Sequence, residues 1–186
     1  MLQRSALNAP QPAPVPVLVR APGTSDARRP EPAIALRPIR DEDADFLCRV
    51  YASTRTEELA PVPWSDVQKA AFLRQQFEAQ HQHYQSYYHD TRFDTILADG
   101  EPVGRLYVAR WPEEIRLVDI ALLPEHRGRG IGTRLIRELF AEAAPEGKRV
   151  TIHVEMNSPA LSLYERLGFE RQYDDGALYC FMEWTP

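Results

Sequence analysis

The sequence is poor in cysteine, in long apolar runs and in positive charge. Its 186 residues hold two cysteines, Cys48 and Cys180. That is too few for a disulfide framework, and two reduced core thiols are expected. No apolar run approaches the ~20 residues of a membrane-spanning helix, so the expectation is a cytoplasmic protein with no membrane partner. The formal net charge of -5 argues against a nucleic-acid role carried by charge. Cys/His spacings of zinc type are missing, and His81 and His83 stand two apart, a separation that diverges on a helix. No metal is expected. What is there is 44% hydrophobic and 26% charged residues, the balance of one globular domain with a real core.

Residues 1–33 are a different material, with proline at 10, 12, 14, 16, 22, 30 and 32. Such a segment cannot bury enough to offset its ordering entropy, so a disordered, Pro-rich arm is expected, followed by a single domain over 34–186. The arm has no secretory h-region. Its arginines leave organelle targeting open beside a plain tail.

Ala33–Ile39 reads as a first strand, and Asp41-Glu42-Asp43 as acidic helix-start chemistry. Phe46, Leu47, Val50 and Tyr51 give the first helix a face, which Pro61 and Pro63 interrupt. Ser65 or Asp66 caps a second helix running to about Tyr87, with Val67, Ala71, Phe77 and Tyr84 near one face. Phe93–Ala98 and Pro102–Arg110 flank Asp99-Gly100, the strongest short hairpin signal. Glu114–Leu123 is a third neighbouring strand. A helix follows at 131–144, then a strand at 149–155, a helix at 158–167, and strands at 169–173 and 178–184 around Asp174-Asp175-Gly176. The order β-α-α-β-β-β-α-β-α-β-β predicts a mixed sheet with helices on both faces.

The centre of the chain is Leu117–Leu135, LVDIALLPEHRGRGIGTRL. It reads as strand, glycine turn, amphipathic helix. Glycines let backbone amides approach a ligand, and the helix start behind them favours an anion. Arg127 and Arg129 add positive charge. This is a place for a phosphate or pyrophosphate. Glycines at 128, 130 and 132 do not fit the dinucleotide fingerprint G-x-G-x-x-G, and the P-loop pattern is absent.

The stretch instead resembles the acyl-CoA signature of the GNAT superfamily of N-acetyltransferases, with Arg127, Gly130 and Gly132 in its fixed places. A second element, Asn157-Ser158-Pro159-Ala160-Leu161-Ser162-Leu163-Tyr164-Glu165-Arg166-Leu167-Gly168-Phe169, resembles the same superfamily. The likeness is sharp over 115–170. It implies an α/β fold whose mostly antiparallel sheet splays at one central parallel pair, with acetyl-CoA as co-substrate. Main chain at Ile120 and Leu122 is expected to pair with the pantetheine, and amides from Gly128, Arg129, Gly130, Ile131, Gly132 and Thr133 to hold the pyrophosphate. Asn157 is expected beside the coenzyme. Tyr164 matches a tyrosine that protonates the departing thiolate, though as a stripe residue it also suits plain packing.

The general base is left open. The position where several members carry a glutamate falls near Arg116, which cannot serve. His153, Asp119 and Glu155 are candidates, alongside a water relay or an amine arriving neutral. The first two helices, the 54–65 loop, Trp64 and the cluster His81, Tyr84, Tyr87, Tyr88 and His89 are implied as an acceptor wall, and Glu57 and Glu58 bias it toward cations. The expected activity is transfer of acetyl to a primary amine by direct attack. The acceptor stays open between a small molecule and a protein N-terminus, as does a homodimer. Two alternatives stand beside it: a non-catalytic acyl-CoA-binding module, and a protein acting through its Pro-rich arm.

Overall fold

The computed structural model describes residues 31–88, 90–174 and 178–186. The Pro-rich arm up to residue 30, His89 and the second hairpin turn at 175–177 lie outside them.

The strands are β1 (Ile34–Pro38), β2 (Thr91–Ala98), β3 (Glu101–Arg110), β4 (Glu114–Leu122), β5 (Arg149–Glu155), β6 (Glu170–Asp174) and β7 (Tyr179–Trp184). The helices are α1 (Ala44–Leu59), α2 (Asp66–Tyr87), α3 (Ile131–Ala143) and α4 (Leu161–Leu167). One sheet runs in the order β1-β2-β3-β4-β5-β7-β6. Every pairing is antiparallel except β4 with β5. The expected mixed α/β sheet with one parallel pair is borne out.

Local chemistry explains the elements. Asp99 and Gly100 both take positive φ, 53° and 88°, as a two-residue hairpin turn of the primed kind requires. Ser65 caps α2 reciprocally with Gln68. Helix α3 buries Ile131, Leu135, Ile136, Leu139 and Ala143 against one sheet face. Each large side chain there contributes roughly 1.5–3 kcal/mol. Helices α1 and α2 cover the other face through Leu47, Tyr51, Phe77 and Tyr84. Cys48 and Cys180 are both buried thiols outside any disulfide, as expected.

Two expectations need correction. Of the expected α2 face, Phe77 and Tyr84 are buried, but Val67 and Ala71 are exposed. The α2 stripe is Leu73, Phe77, Gln80 and Tyr84, spaced i, i+4, i+7, i+11, and its polar third member hides the period. Helix α4 starts at Leu161 rather than 158, because the buried Ser158 hydroxyl accepts from the Ala160 amide and holds a turn ahead of it.

Strand β4 carries one irregularity that matters below. Tyr107 pairs with Asp119 and Val108 with Leu117, so Val118 is an extra residue. This bulge flips the face parity. Ile115 and Leu117 before it, and Ile120 and Leu122 after it, all point to the α3 side. Val118 and Asp119 both point toward α1 and α2. Among the described residues no helix is long and apolar enough to cross a membrane.

Candidate active site

The parallel ladder between β4 and β5 is short. It runs from Glu114↔Arg149 to Leu117↔Ile152 and stops, while β4 continues to Leu122 and β5 to Glu155. The strands form a fork. Its closed end is held by a polar network: Arg116 donates to Thr151 Oγ1 at 2.6 Å and to Glu114 Oε1 at 2.8 Å, and Arg149 reaches Glu114 at 3.0 Å.

At the open end, the Leu123 amide donates to Val103 on the β3 side. By strand alternation, Ile120 and Leu122 direct their amides and carbonyls the other way, into the fork. Arg127 confirms the direction for Leu122, since its Nε donates to the Leu122 carbonyl at 2.7 Å. The same guanidinium donates to Ser53 Oγ at 2.8 Å. Arg127 therefore clamps the tip of β4 to α1, while the Leu122 amide meets no such tie among the described residues.

The glycine turn joins β4 to α3. Gly128 and Gly130 have φ of 73° and 80°. Gly130 is the α3 cap and offers no side chain. The Arg134 amide bonds the Gly130 carbonyl, but amides 128–133 meet no hydrogen-bond partner among the described residues. A cavity of about 490 Å³ adjoins this helix start, with Arg129, Gly130, Thr133, Arg134 and Arg137 on its wall. Arg134 is paired with Glu138. Arg129 and Arg137 meet no carboxylate within ion-pair distance among the described residues. Unbonded amides, a helix dipole and uncompensated guanidinium groups suit a polyphosphate.

The four candidate acid–base side chains sit in distinct environments. Tyr164 on α4 is buried on the α3 face, edge-on to Phe169. Burial pushes its hydroxyl well above the usual tyrosine range, and the Asp119 charge adds to the rise. Asp119 lies on β4 facing α1 and α2. Its Oδ2 accepts from Arg105 Nη2 at 2.7 Å, and the two side chains are 0% and 1% exposed. Burial raises the Asp119 carboxyl and Arg105 opposes that rise. Arg105 lies over the Tyr51 ring and also donates to Gln80.

His153 stands beside Arg116, with 3.3 Å between Arg116 Nη1 and His153 Nδ1. A guanidinium has no lone pair to offer, so Nδ1 is the acceptor and the neutral ring carries its proton on Nε2. Glu155, at the end of β5, is half-buried and 3.4 Å from Arg55 of α1. Burial raises its carboxyl, which Arg55 opposes. Asn157 follows, exposed, in the turn after β5.

A second cavity, of about 430 Å³, opens between α1 and α2 and includes Tyr51, Arg55, Glu58, Phe72 and Gln80. Its inner wall touches both arms of the fork: Arg55 reaches Glu155, and Tyr51 and Gln80 reach Arg105 and through it Asp119. Trp64 stacks edge-on with Phe72 nearby. Arg105, Arg55 and Gln80 escaped the sequence reading. Asp119 in an apolar strand was the available signal, since a buried carboxylate demands a cation on a neighbouring strand, and Arg105 is the charged residue inside β3. Nothing in the sequence marks Arg55.

Known proteins share this fold. Residues 52–169 match the family described as Acetyltransferase (GNAT) family. The chain is 30% identical over 142 residues to a Bacillus subtilis protein assigned as a ribosomal protein bS18-alanine N-acetyltransferase, covering 73% of this chain and 80% of that one. It is 35% identical over 91 residues to streptothricin acetyltransferase of Streptomyces lavendulae, covering 47% and 48%. The chain spans about half the length, or less, of the first curated relatives it matches. Among solved structures, the PaiA N-acetyltransferase of Thermoplasma acidophilum in complex with coenzyme A superposes with a TM-score of 0.62 at 21% identity, covering 83% of this chain and 99% of that one. By its sequence match and its fold, this chain belongs to the GNAT family of acetyltransferases.

Proposed function

We propose that the protein transfers an acetyl group from acetyl-CoA to a primary amine by direct attack within a ternary complex, using residues 34–186 as the working unit. The observation that carries this reading is the fork. Strands β4 and β5 part after Leu117 and Ile152 beside a glycine turn built for phosphate. An extended amide chain can pair along the open edge of β4 at Ile120 and Leu122 as another strand would. Amides 128–133 with Arg129 hold the pyrophosphate, and Asn157 flanks it. Arg127 acts one step back, by fixing the β4 tip to α1.

The coenzyme supplies the activated thioester, and the chain supplies the rest. The Leu122 amide, aimed into the fork, stabilises negative charge on the acyl oxygen. Glu155 takes the proton of the attacking amine: it stands half-buried at the end of β5, on the fork's mouth, with its carboxyl raised by burial. Tyr164, held protonated by burial, gives a proton to the departing thiolate. Asp119 and Arg105 position Tyr51 and keep that field in place. Holding both reactants on one scaffold contributes most, up to roughly 7–11 kcal/mol. The cysteines support direct attack over an acyl-enzyme, because burial raises the Cys48 thiol and Cys180 is fully enclosed. The α1–α2 cavity favours a small amine over a folded protein's N-terminus as acceptor.

The test is thiol release from acetyl-CoA with a mixed amine panel, run for the wild type, Tyr164→Phe and Gly130→Glu. Thiol should match acetylated amine. Tyr164→Phe should lower the rate by ~10²-fold, and Gly130→Glu should abolish coenzyme A binding. Tight coenzyme A binding with no turnover of any amine overturns the reading and returns the chain to a binding module.

A further inference from the structure

We propose that the α1–α2 chamber selects its occupant by charge, admitting a small primary alkylammonium with an apolar or aromatic body and rejecting amines that carry an acid group. The proposal rests on the acetyl-transfer reading for the chamber's role as acceptor site.

The chamber's apolar lining is Tyr51, Leu59, Phe72 and Leu73, and its volume of about 430 Å³ lies in the range of small-molecule sites. Among its described lining residues Arg55 is the one permanent cation, and it is already shared. Its Nη1 lies 2.9 and 3.1 Å from the two Glu58 oxygens, and both Nη atoms lie 3.4 Å from Glu155 Oε1. Two carboxylates around one guanidinium leave a surplus negative charge. An ammonium completes the set. Burial lowers the His83 pKa, so that ring brings no cation at neutral pH.

A carboxylate on the ligand finds nothing equivalent. Arg55 is saturated. Arg105 lies behind Tyr51, fully buried, with Asp119 at 2.7 Å. Burying an acid group without a cation is costly. Arg129 and Arg137, two guanidinium groups that meet no carboxylate within ion-pair distance among the described residues, stand at the other cavity, beside the glycine turn. The two cavities thus differ in charge: the wall at the α3 start carries Arg129, Arg134 and Arg137 against Glu31 and Glu138 and suits an anion, while the α1–α2 chamber suits a cation.

Phenethylamine and phenylalanine differ by one carboxylate and test this directly. Binding of each is measured by calorimetry on the full chain saturated with coenzyme A, which permits no turnover, and acetyl transfer is measured separately with acetyl-CoA. Phenethylamine should bind at least about tenfold more tightly than phenylalanine. Glu58→Gln, at a half-exposed side chain, should weaken phenethylamine and narrow that ratio. Ala79→Lys, at an exposed position on the lining, should strengthen phenylalanine and narrow it from the other side. Thermal unfolding of each variant checks its folding. Equal binding of the two compounds, binding of neither, or a ratio unmoved by both substitutions overturns the proposal. Binding that follows charge without acetylation of any amine locates the failure in the transfer reading instead.

Discussion

Gly130 separates two reasons for a glycine. Its φ of 80° is left-handed, and a Cβ placed there meets no atom within 4 Å. Replacement by alanine therefore costs conformational energy alone, roughly 1–2 kcal/mol. For a chain of this length that lowers Tm by roughly 2–8 °C, at 2–4 °C per kcal/mol. Asparagine tolerates the left-handed region, so Gly130→Asn should recover most of that stability. The space around the missing Cβ is where the account seats a pyrophosphate, so both variants should lose affinity for coenzyme A by about tenfold or more. Coenzyme A at ~100 times the wild-type Kd stabilises by about 2.7 kcal/mol. A tenfold loss at the same concentration leaves about 1.4 kcal/mol. Thermal unfolding with and without coenzyme A reads both effects at once. If Gly130→Asn keeps the full coenzyme-dependent rise in Tm, the glycine serves the turn only, and the seat of the phosphate is misplaced.

Further outcomes follow from particular side chains. In kcat/KM profiles, the acidic limb should reflect Glu155, set above the ordinary carboxylate range by burial, with activity gained as pH rises through it. Glu155→Gln should remove that limb and lower kcat, while the alkaline rise from the amine remains. Asp119→Ala strands Arg105 in the interior and should cost about 3–5 kcal/mol in denaturant unfolding. Asp43 accepts from Arg37 at 2.8 and 3.0 Å and from the Arg40 amide at 2.8 Å, which hold its carboxyl below the ordinary value. Its contribution is present above the unfolded value near 3.8 and lost as pH falls through the lower folded one. Asp43→Asn should cost about 1.5–3 kcal/mol at neutral pH and flatten the acid limb of a Tm–pH curve.

The readable parts of the chain were those where local chemistry decides. Asp99-Gly100 needs positive φ at both positions, and the α3 stripe from Ile131 to Ala143 repeats cleanly, so the hairpin and the helix stood out. The glycine turn was legible for the same reason. The bulge at Val118 was not. It depends on the pairing of β3 with β4, and no residue type announces it, yet it decides that Asp119 faces α1 and α2. Arg127 is expected at the phosphate seat from its charge and its place in the signature, and only the folded chain shows that Leu122 and Ser53 are also within its reach. The α2 face was legible at Phe77 and Tyr84 but not at its first turn, because Gln80 sits on the same stripe, where it accepts from Arg105 of β3. His153 is a base candidate by strand position, and only the folded chain sets Arg116 3.3 Å from its Nδ1. In each case the missing information was a partner distant in sequence.

The most direct test of the fork as the place of direct acetyl transfer is the initial-velocity pattern with acetyl-CoA and an accepted amine varied together, with the products identified by mass. The account predicts intersecting double-reciprocal lines, one acetylated amine per thiol released, and no acetylated protein. Parallel lines with an acetyl group on the protein would contradict it.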